Sequence, residues 1–381
     1  LYKILLVAVL LTIISCKEDK HESLPLSKAS KAFEIKYAEG FTIEEMDSGL
    51  ILIKIAAPWP DAKTVFTYAL IPKNRMATMN LNKDEFDAIV PIPVEKIVVT
   101  STTHIPALEA LGVGDKLVGF PNPEYISSKA TRKRIDAGKV KALGNNEAIN
   151  TEMVLALDPE VFIGFGVDGQ NKAYASLQRA NIPVIYNGDW TEETPLGKAE
   201  WIKFFAPFFN AETKADSIFR EIETSYLKAK ELASTAKGEP TVLSGALYKD
   251  VWYLPGGKSW AAQFFDDAKA NYLWKDTQET GSLSLSLESV LEKGKPAEFW
   301  ISPAQFTSYA EMEEANPHYQ QFNAFKNRNS YSFAGKTGKT GGLIYYELAP
   351  HRPDLVLKDL IHILHPELLP DHSLYFYRPL D

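Results

Sequence analysis

Apolar and polar residues alternate with a period of two over residues 49–55 (GLILIKI) and 64–71 (TVFTYALI), two runs parted by Pro58-Trp59-Pro60-Asp61. That period sends successive side chains to opposite faces of a strand, so residues 24–90 predict an antiparallel sheet. From residue 91 the rhythm changes. Short apolar runs at 96–100, 117–120, 161–164 and 184–186 alternate with helical stretches at 106–111, stopped by Gly112, and near 150–157 and 170–180. This alternation predicts a parallel α/β sheet ending near residue 190. A breaker-poor stretch, 198–235, predicts a long helix that kinks or restarts at Pro207, whose ring removes an intrahelical hydrogen bond. Beyond Gly238-Glu239-Pro240 a second alternating series runs through 241–245, 251–254 and 298–301 and closes with a helix at 353–364. The fold class is α/β: two α/β lobes joined by one long helical backbone segment, preceded by an N-terminal β-rich segment. The expected domains are a first lobe at 24–192, a linking helix at 193–237 and a second lobe at 238–381.

The greasiest run, residues 4–14, follows Lys3 and ends at Ser15-Cys16 before Lys17-Glu18-Asp19. It is too short to cross about 30 Å of hydrocarbon but suits a signal-peptide core. Cys16 is the only cysteine in the chain, so no intramolecular disulfide can form. Ile13-Ile14-Ser15-Cys16 resembles the lipobox of bacterial lipoproteins. The resemblance implies a signal at 1–15, lipidation of Cys16, a tether at 16–23, and an exported protein anchored to a bacterial membrane, facing the periplasm or cell surface. The acidic residues after Cys16 resemble the surface-export signal of Bacteroidetes lipoproteins. The alternative is a buried N-terminal helix carrying a buried cysteine.

A net charge of −8 argues against a nucleic-acid partner, since phosphate backbones select clustered Lys and Arg. With 45% hydrophobic and 12% aromatic residues, the chain has material for two cores. No second apolar run approaches membrane-spanning length.

Several segments, in order, resemble the helical-backbone class of substrate-binding proteins that serve bacterial importers of cobalamin, ferric siderophores and haem. They are IVVTSTTHIPALEALGVGDKLVGF, VKALGNNEAINTEMVLALDPEVFIGFG, LSLSLESVLEKGKPAEFWIS and HRPDLVLKDLIHILHPEL, spread over roughly residues 95–370. Pro58-Trp59-Pro60 with its flanking strands resembles the leading segment of Bacteroidetes iron-complex binding proteins. The resemblance implies a monomeric receptor with no intrinsic cofactor, which captures an iron chelate or a corrinoid between its lobes. Its partners would be the permease and ATPase subunits of an ABC importer. It also implies that Glu152 and Glu288, one per lobe, dock onto basic residues of the permease. Each Glu also opens a helix, where it could serve as dipole partner or capping-box member.

In open α/β sheets, ligands bind beyond the carboxyl ends of strands. This places Thr102, Thr103, His104, Asn122, Tyr125 and Phe165 on the first lobe's rim, and Trp252, Tyr253, Trp260, Gln305, Tyr346 and Arg352 on the second's. Aromatic faces suit flat chelates. Thr102 or Thr103 also suits a helix cap, which does not exclude ligand contact. The Arg352 fork suits chelate oxygens or an ion pair with Asp354. A bare divalent metal is the alternative cargo, but of the seven histidines only His104 lies near the first lobe's rim, and His362, His365 and His372 lie in or after the last helix. No G-x-S-x-G, P-loop or H-E-x-x-H motif occurs, so the chain is not expected to be an enzyme, with a chelate-processing lipoprotein as the lesser alternative. The two Gly-Lys-Thr triplets at 335–340 are expected to form a flexible loop.

Overall fold

The computed structural model describes residues 29–79 and 81–381; Cys16, the signal at 1–15 and the tether at 16–23 lie outside the described residues. The N-terminal segment is a five-stranded sheet of β1 (Ala29–Ala32), β2 (Phe41–Met46), β3 (Ile51–Ile55), β4 (Phe66–Pro72) and β5 (Ala88–Ile92), hydrogen-bonded in that order. The first four strands are antiparallel, as the alternation predicts. β5 is parallel to β4. One face of the sheet contributes Phe41, Ile43, Ile53, Tyr68 and Leu70 to the first lobe's core.

The first lobe is a parallel sheet of β6 (Ile97–Val99), β7 (Leu117–Phe120), β8 (Lys141–Ala142), β9 (Val161–Gly164) and β10 (Val184–Tyr186). Its spatial order is β10-β9-β6-β7-β8, so the direction of winding reverses between β9 and β6. At such a switch point neighbouring loops diverge to opposite faces and leave a crevice at the strand ends.

The second lobe holds β11 (Thr241–Ser244), β12 (Ala246–Tyr248), β13 (Val251–Pro255), β14 (Asn271–Tyr272), β15 (Ser282–Leu285), β16 (Phe299–Ile301), β17 (Ser330–Ser332) and β18 (Arg378–Pro379). Its main sheet runs β14-β11-β16-β17-β18, parallel except for β18. The strand expected at 251–254 does not belong to this series. As β13 it sits in a separate antiparallel sheet, β12-β13-β15, because only Lys249 and Asp250 separate it from β12 and a connection that short closes a hairpin.

Between the lobes run short helices at Pro195–Glu200 and Ile202–Phe205, a 3-10 turn at Ala206–Phe209 containing Pro207, and an unbroken helix at Glu212–Ser234. This last helix, the spine, is roughly 34 Å long. Its buried residues Ala215, Phe219, Ile222, Tyr226, Ala229 and Ala233 form one stripe at alternating spacings of four and three. The first three join the core of the first lobe and the last three that of the second, so a single helix face holds both lobes. Among the described residues no helix is long and apolar enough to cross a membrane.

Candidate functional site between the lobes

At the switch point, the chain leaving β6 passes through Thr100, Ser101 and Thr102. The Phe165 N–H, just past β9, donates to Thr100 Oγ1 at 3.1 Å, and Asn146 Nδ2, past β8, donates to the Thr100 carbonyl at 3.3 Å. The Tyr174 hydroxyl donates to the Phe165 carbonyl at 3.1 Å. These bonds tie three strand ends into one wall. Beside it lies a cleft of about 570 Å³, whose lining includes Thr102, Asn122, Tyr125, Asn146, Glu147 and Phe165 from the first lobe. Gly342, Leu343 and Tyr346 of the second lobe face them. Tyr125 and Tyr346 are 60% and 51% exposed, so both rings are open to a ligand. Tyr346 leans edge-on against Phe333 at 5.3 Å, with the Gln305 side chain beside its hydroxyl.

A second compartment, about 680 Å³, also lies between the lobes. Trp59 and Trp190 line it from one side and Trp260 from the other, with Glu39, Asp61 and Glu193 among them. Trp59 is fixed by edge contacts to Phe66 and Tyr186 and by close approach to Gly166 and Gly169, where any Cβ would strike the indole. Behind this wall Lys198 is buried and donates to the carbonyls of Asp189 and Trp190, both at 3.0 Å. Burial pushes its ammonium below the ordinary lysine value.

Of the residues expected on the rim, Thr102, Asn122, Tyr125, Phe165 and Tyr346 come together in the first compartment, Gln305 touches Tyr346, and Trp260 lines the second. Others lie elsewhere. Trp252 is wholly buried, stacked on Trp300 at 5.4 Å, because the inward face of β13 supplies the second lobe's core. Its neighbour Tyr253 points outward and lines neither compartment. His104 is fully buried against Phe205, and burial holds its ring below the usual histidine value, which makes it a core residue. Thr103 makes no cap bond to the helix His104–Ala110; its hydroxyl donates to Asp189 Oδ2 at 2.6 Å. Arg352 is spent on Asp354 through two bonds, Nε to Oδ1 at 2.8 Å and Nη2 to Oδ2 at 2.9 Å. It lines a groove on the spine side of the lobe junction, away from the cleft.

The late histidines are structural too. His372 pairs with Asp359 at 2.7 Å, and His362 bonds the Leu369 carbonyl at 2.8 Å. His365 is buried near the Lys269 carbonyl. Among the described residues no three His, Cys, Asp or Glu side chains gather as a metal site.

Sequence reasoning missed Trp59, Asn146, Glu147, Trp190, Gly342 and Leu343 among the lining residues. Trp190 could have been found, since it follows β10 as Phe165 follows β9. The loop 335–343 could not, because its position depends on tertiary contacts. Far from being a free loop, it crosses to the first lobe. Thr340 Oγ1 donates to the Glu124 carbonyl at 2.6 Å, Lys339 pairs with Asp136 at 2.9 Å, and Ser127 Oγ donates to the Gly342 carbonyl at 2.9 Å. A Cβ on Gly342 would lie 2.2 Å from the Tyr125 carbonyl oxygen, which only glycine avoids.

Glu152 and Glu288 occupy equivalent local settings. Each is the second residue of a helix, Thr151–Leu157 and Leu287–Gly294, and each is exposed. Asn150 and Ser286 cap those helices by accepting the N–H groups of Met153 and Ser289, so neither glutamate is needed as the cap. The Glu288 carboxyl is held below its ordinary value by its own backbone N–H and by Ser286.

A family model described as periplasmic binding protein matches residues 97–336. An uncharacterized lipoprotein of Methanocaldococcus jannaschii is 27% identical over 299 residues, covering 76% of this chain and 69% of that one. Among solved structures, a possible iron-binding (periplasmic solute-binding) protein of Staphylococcus epidermidis superposes with a TM-score of 0.55 at 18% identity, over 72% of this chain and 99% of that one. The periplasmic heme binding protein of Vibrio cholerae gives 0.54 at 17% identity, over 69% and 99%.

Proposed function

The chain belongs to the periplasmic binding protein family, a family of binding proteins and not of enzymes, and from that premise we propose that it captures a metal chelate between its lobes and delivers it to an ABC importer. A ferric siderophore is the first candidate, with haem or a corrinoid next. The observation that carries the reading is the cleft at the switch point, where exposed Tyr125 and Tyr346 from opposite lobes flank hydroxyl and amide side chains. Such walls suit a preformed chelate, whose metal already has its ligands and needs stacking faces and hydrogen bonds more than bare donors. A solved structure of this fold named for heme binding is in keeping with a chelate as cargo. Glu152 and Glu288, exposed one per lobe, would meet the permease, and Cys16 would carry the lipid anchor, in keeping with the relative named a lipoprotein.

The test is tryptophan fluorescence of the full chain, titrated with ferric siderophores, haemin, cobalamins and bare divalent metals. Trp190 is 40% exposed in the second compartment and reports on occupancy. Saturable quenching by one chelate class is expected. A response to bare metal alone would replace the chelate by a metal ion.

A further inference from the structure

The charge of the walls restricts the charge of whatever enters the cleft. In the larger compartment Trp59, Trp190 and Trp260 line the walls from both lobes, and Glu39, Asp61 and Glu193 set exposed carboxylates around them. In the smaller one Glu147 stands among hydroxyl, amide and tyrosine side chains. Among the described residues no Lys, Arg or His lines either compartment. Of the lysines beside the walls, Lys63 and Lys258 are exposed next to the lining residues Ala62 and Ser259, outside the lining itself. The Lys198 ammonium is buried behind the wall on two backbone carbonyls, 5.3 Å from the Trp260 ring. Lys172 borders a neighbouring hollow whose lining also holds Asp168 and Glu147.

Low-dielectric walls focus the field of such carboxylates into a cleft, and aromatic faces attract cations through their quadrupole. Resting on the chelate reading above, we propose that the site selects neutral or cationic metal chelates and rejects polyanionic ones such as tris-catecholates and polycarboxylates. A trihydroxamate wraps ferric iron without leaving net negative charge and can stack its hydrocarbon arms on the indoles. A polyanionic chelate would lose its hydration with no cation on the wall to replace it.

The test titrates the full chain with three ferric chelates: a monocationic trihydroxamate, a neutral trihydroxamate and a trianionic tris-catecholate, each at low and high salt. The first two should saturate the quenching and the third should not, with affinity for the cation falling as salt rises. Replacing Glu39→Gln, Asp61→Asn and Glu193→Gln together should weaken the cationic chelate about tenfold relative to the neutral one. Asp61 sits at φ 61°, a conformation asparagine tolerates, so that replacement preserves the backbone. Equal or tighter binding of the tris-catecholate would overturn the inference, as would an unchanged ratio of cationic to neutral affinity in the triple variant. Silence with all three chelates and with haemin and cobalamin would remove the chelate reading itself, and the inference with it, so the two failures are distinguishable.

Discussion

At the scale of single residues, Trp252 shows how a strand decides between core and cleft. Its indole stacks on Trp300, meets Tyr319 and Phe322 edge-on or tilted, and donates through Nε1 to the Ser244 carbonyl at 3.0 Å. All of this lies on one face of β13, so Tyr253, one position on, must face out. Trp252→Ala would remove those contacts and leave a cavity, at a cost of about 3–5 kcal/mol. Urea unfolding should show that loss, while the folded fraction keeps its affinity for the chelate. Weakened binding at full stability would put Trp252 back in the cleft.

At the scale of elements, the link between lobes at the loop 335–343 and the helix Ile344–Leu348 sets one end of the cleft. Glu347 of that helix is buried and accepts the N–H groups of Ser127 and Ser128 in the other lobe, at 2.5 and 2.9 Å. Burial raises its carboxyl from 4.5 to about 7, and Glu109 nearby adds to the rise. A folded-state pKa above the unfolded one means that the folded protein holds a proton the unfolded chain has lost. The stabilisation is therefore present at acid pH and is lost as pH rises from about 4.5 through about 7. His351 in the same groove runs the other way: burial lowers its ring from 6.5 to about 4, so the unfolded chain holds a proton that the folded protein lacks and stability rises with pH over that range. The Glu347 descent is therefore read as the difference between the protein and its Glu347 variant. The Glu347 contribution taken alone is on the order of 3 kcal/mol. Glu347→Gln keeps the shape without the charge, so its unfolding free energy should lack this descent. Denaturant melts of both proteins across the window decide the point, and parallel curves would show that Glu347 does not titrate there.

At the scale of the whole molecule, periodicity made the lobes legible. Leu117–Phe120, Val161–Gly164 and Val184–Tyr186 are continuous apolar runs because parallel strands are covered on both faces. Thr102, Asn122 and Phe165 were legible as cleft residues because each follows such a strand. The hairpin sheet of β12, β13 and β15 was not, since β13 has the same short apolar texture and only its two-residue connection to β12 distinguishes it. Nor could sequence show that Arg352 faces the spine, because bidentate pairing with a neighbour two residues on leaves no periodic trace.

The spine resolves a further question of scale, namely how two distant carboxylates could act together. One apolar stripe of Glu212–Ser234 is embedded in both cores, and the loop 335–343 ties the lobes again near the cleft, so rigid-body opening is opposed at two places. A receptor held this way keeps a nearly constant separation between Glu152 and Glu288, each raised on a capped helix start in its own lobe. Two fixed anionic contacts suit a partner with two matching basic sites, and like-charge replacement should repel it. Reversing both, Glu152→Lys with Glu288→Lys, is expected to reduce chelate uptake about tenfold or more, while fluorescence titration and the unfolding midpoint stay at their original values. Both side chains are exposed, so the substitutions disturb no core. Uptake that persists in the double variant with binding intact would show that the permease meets another surface.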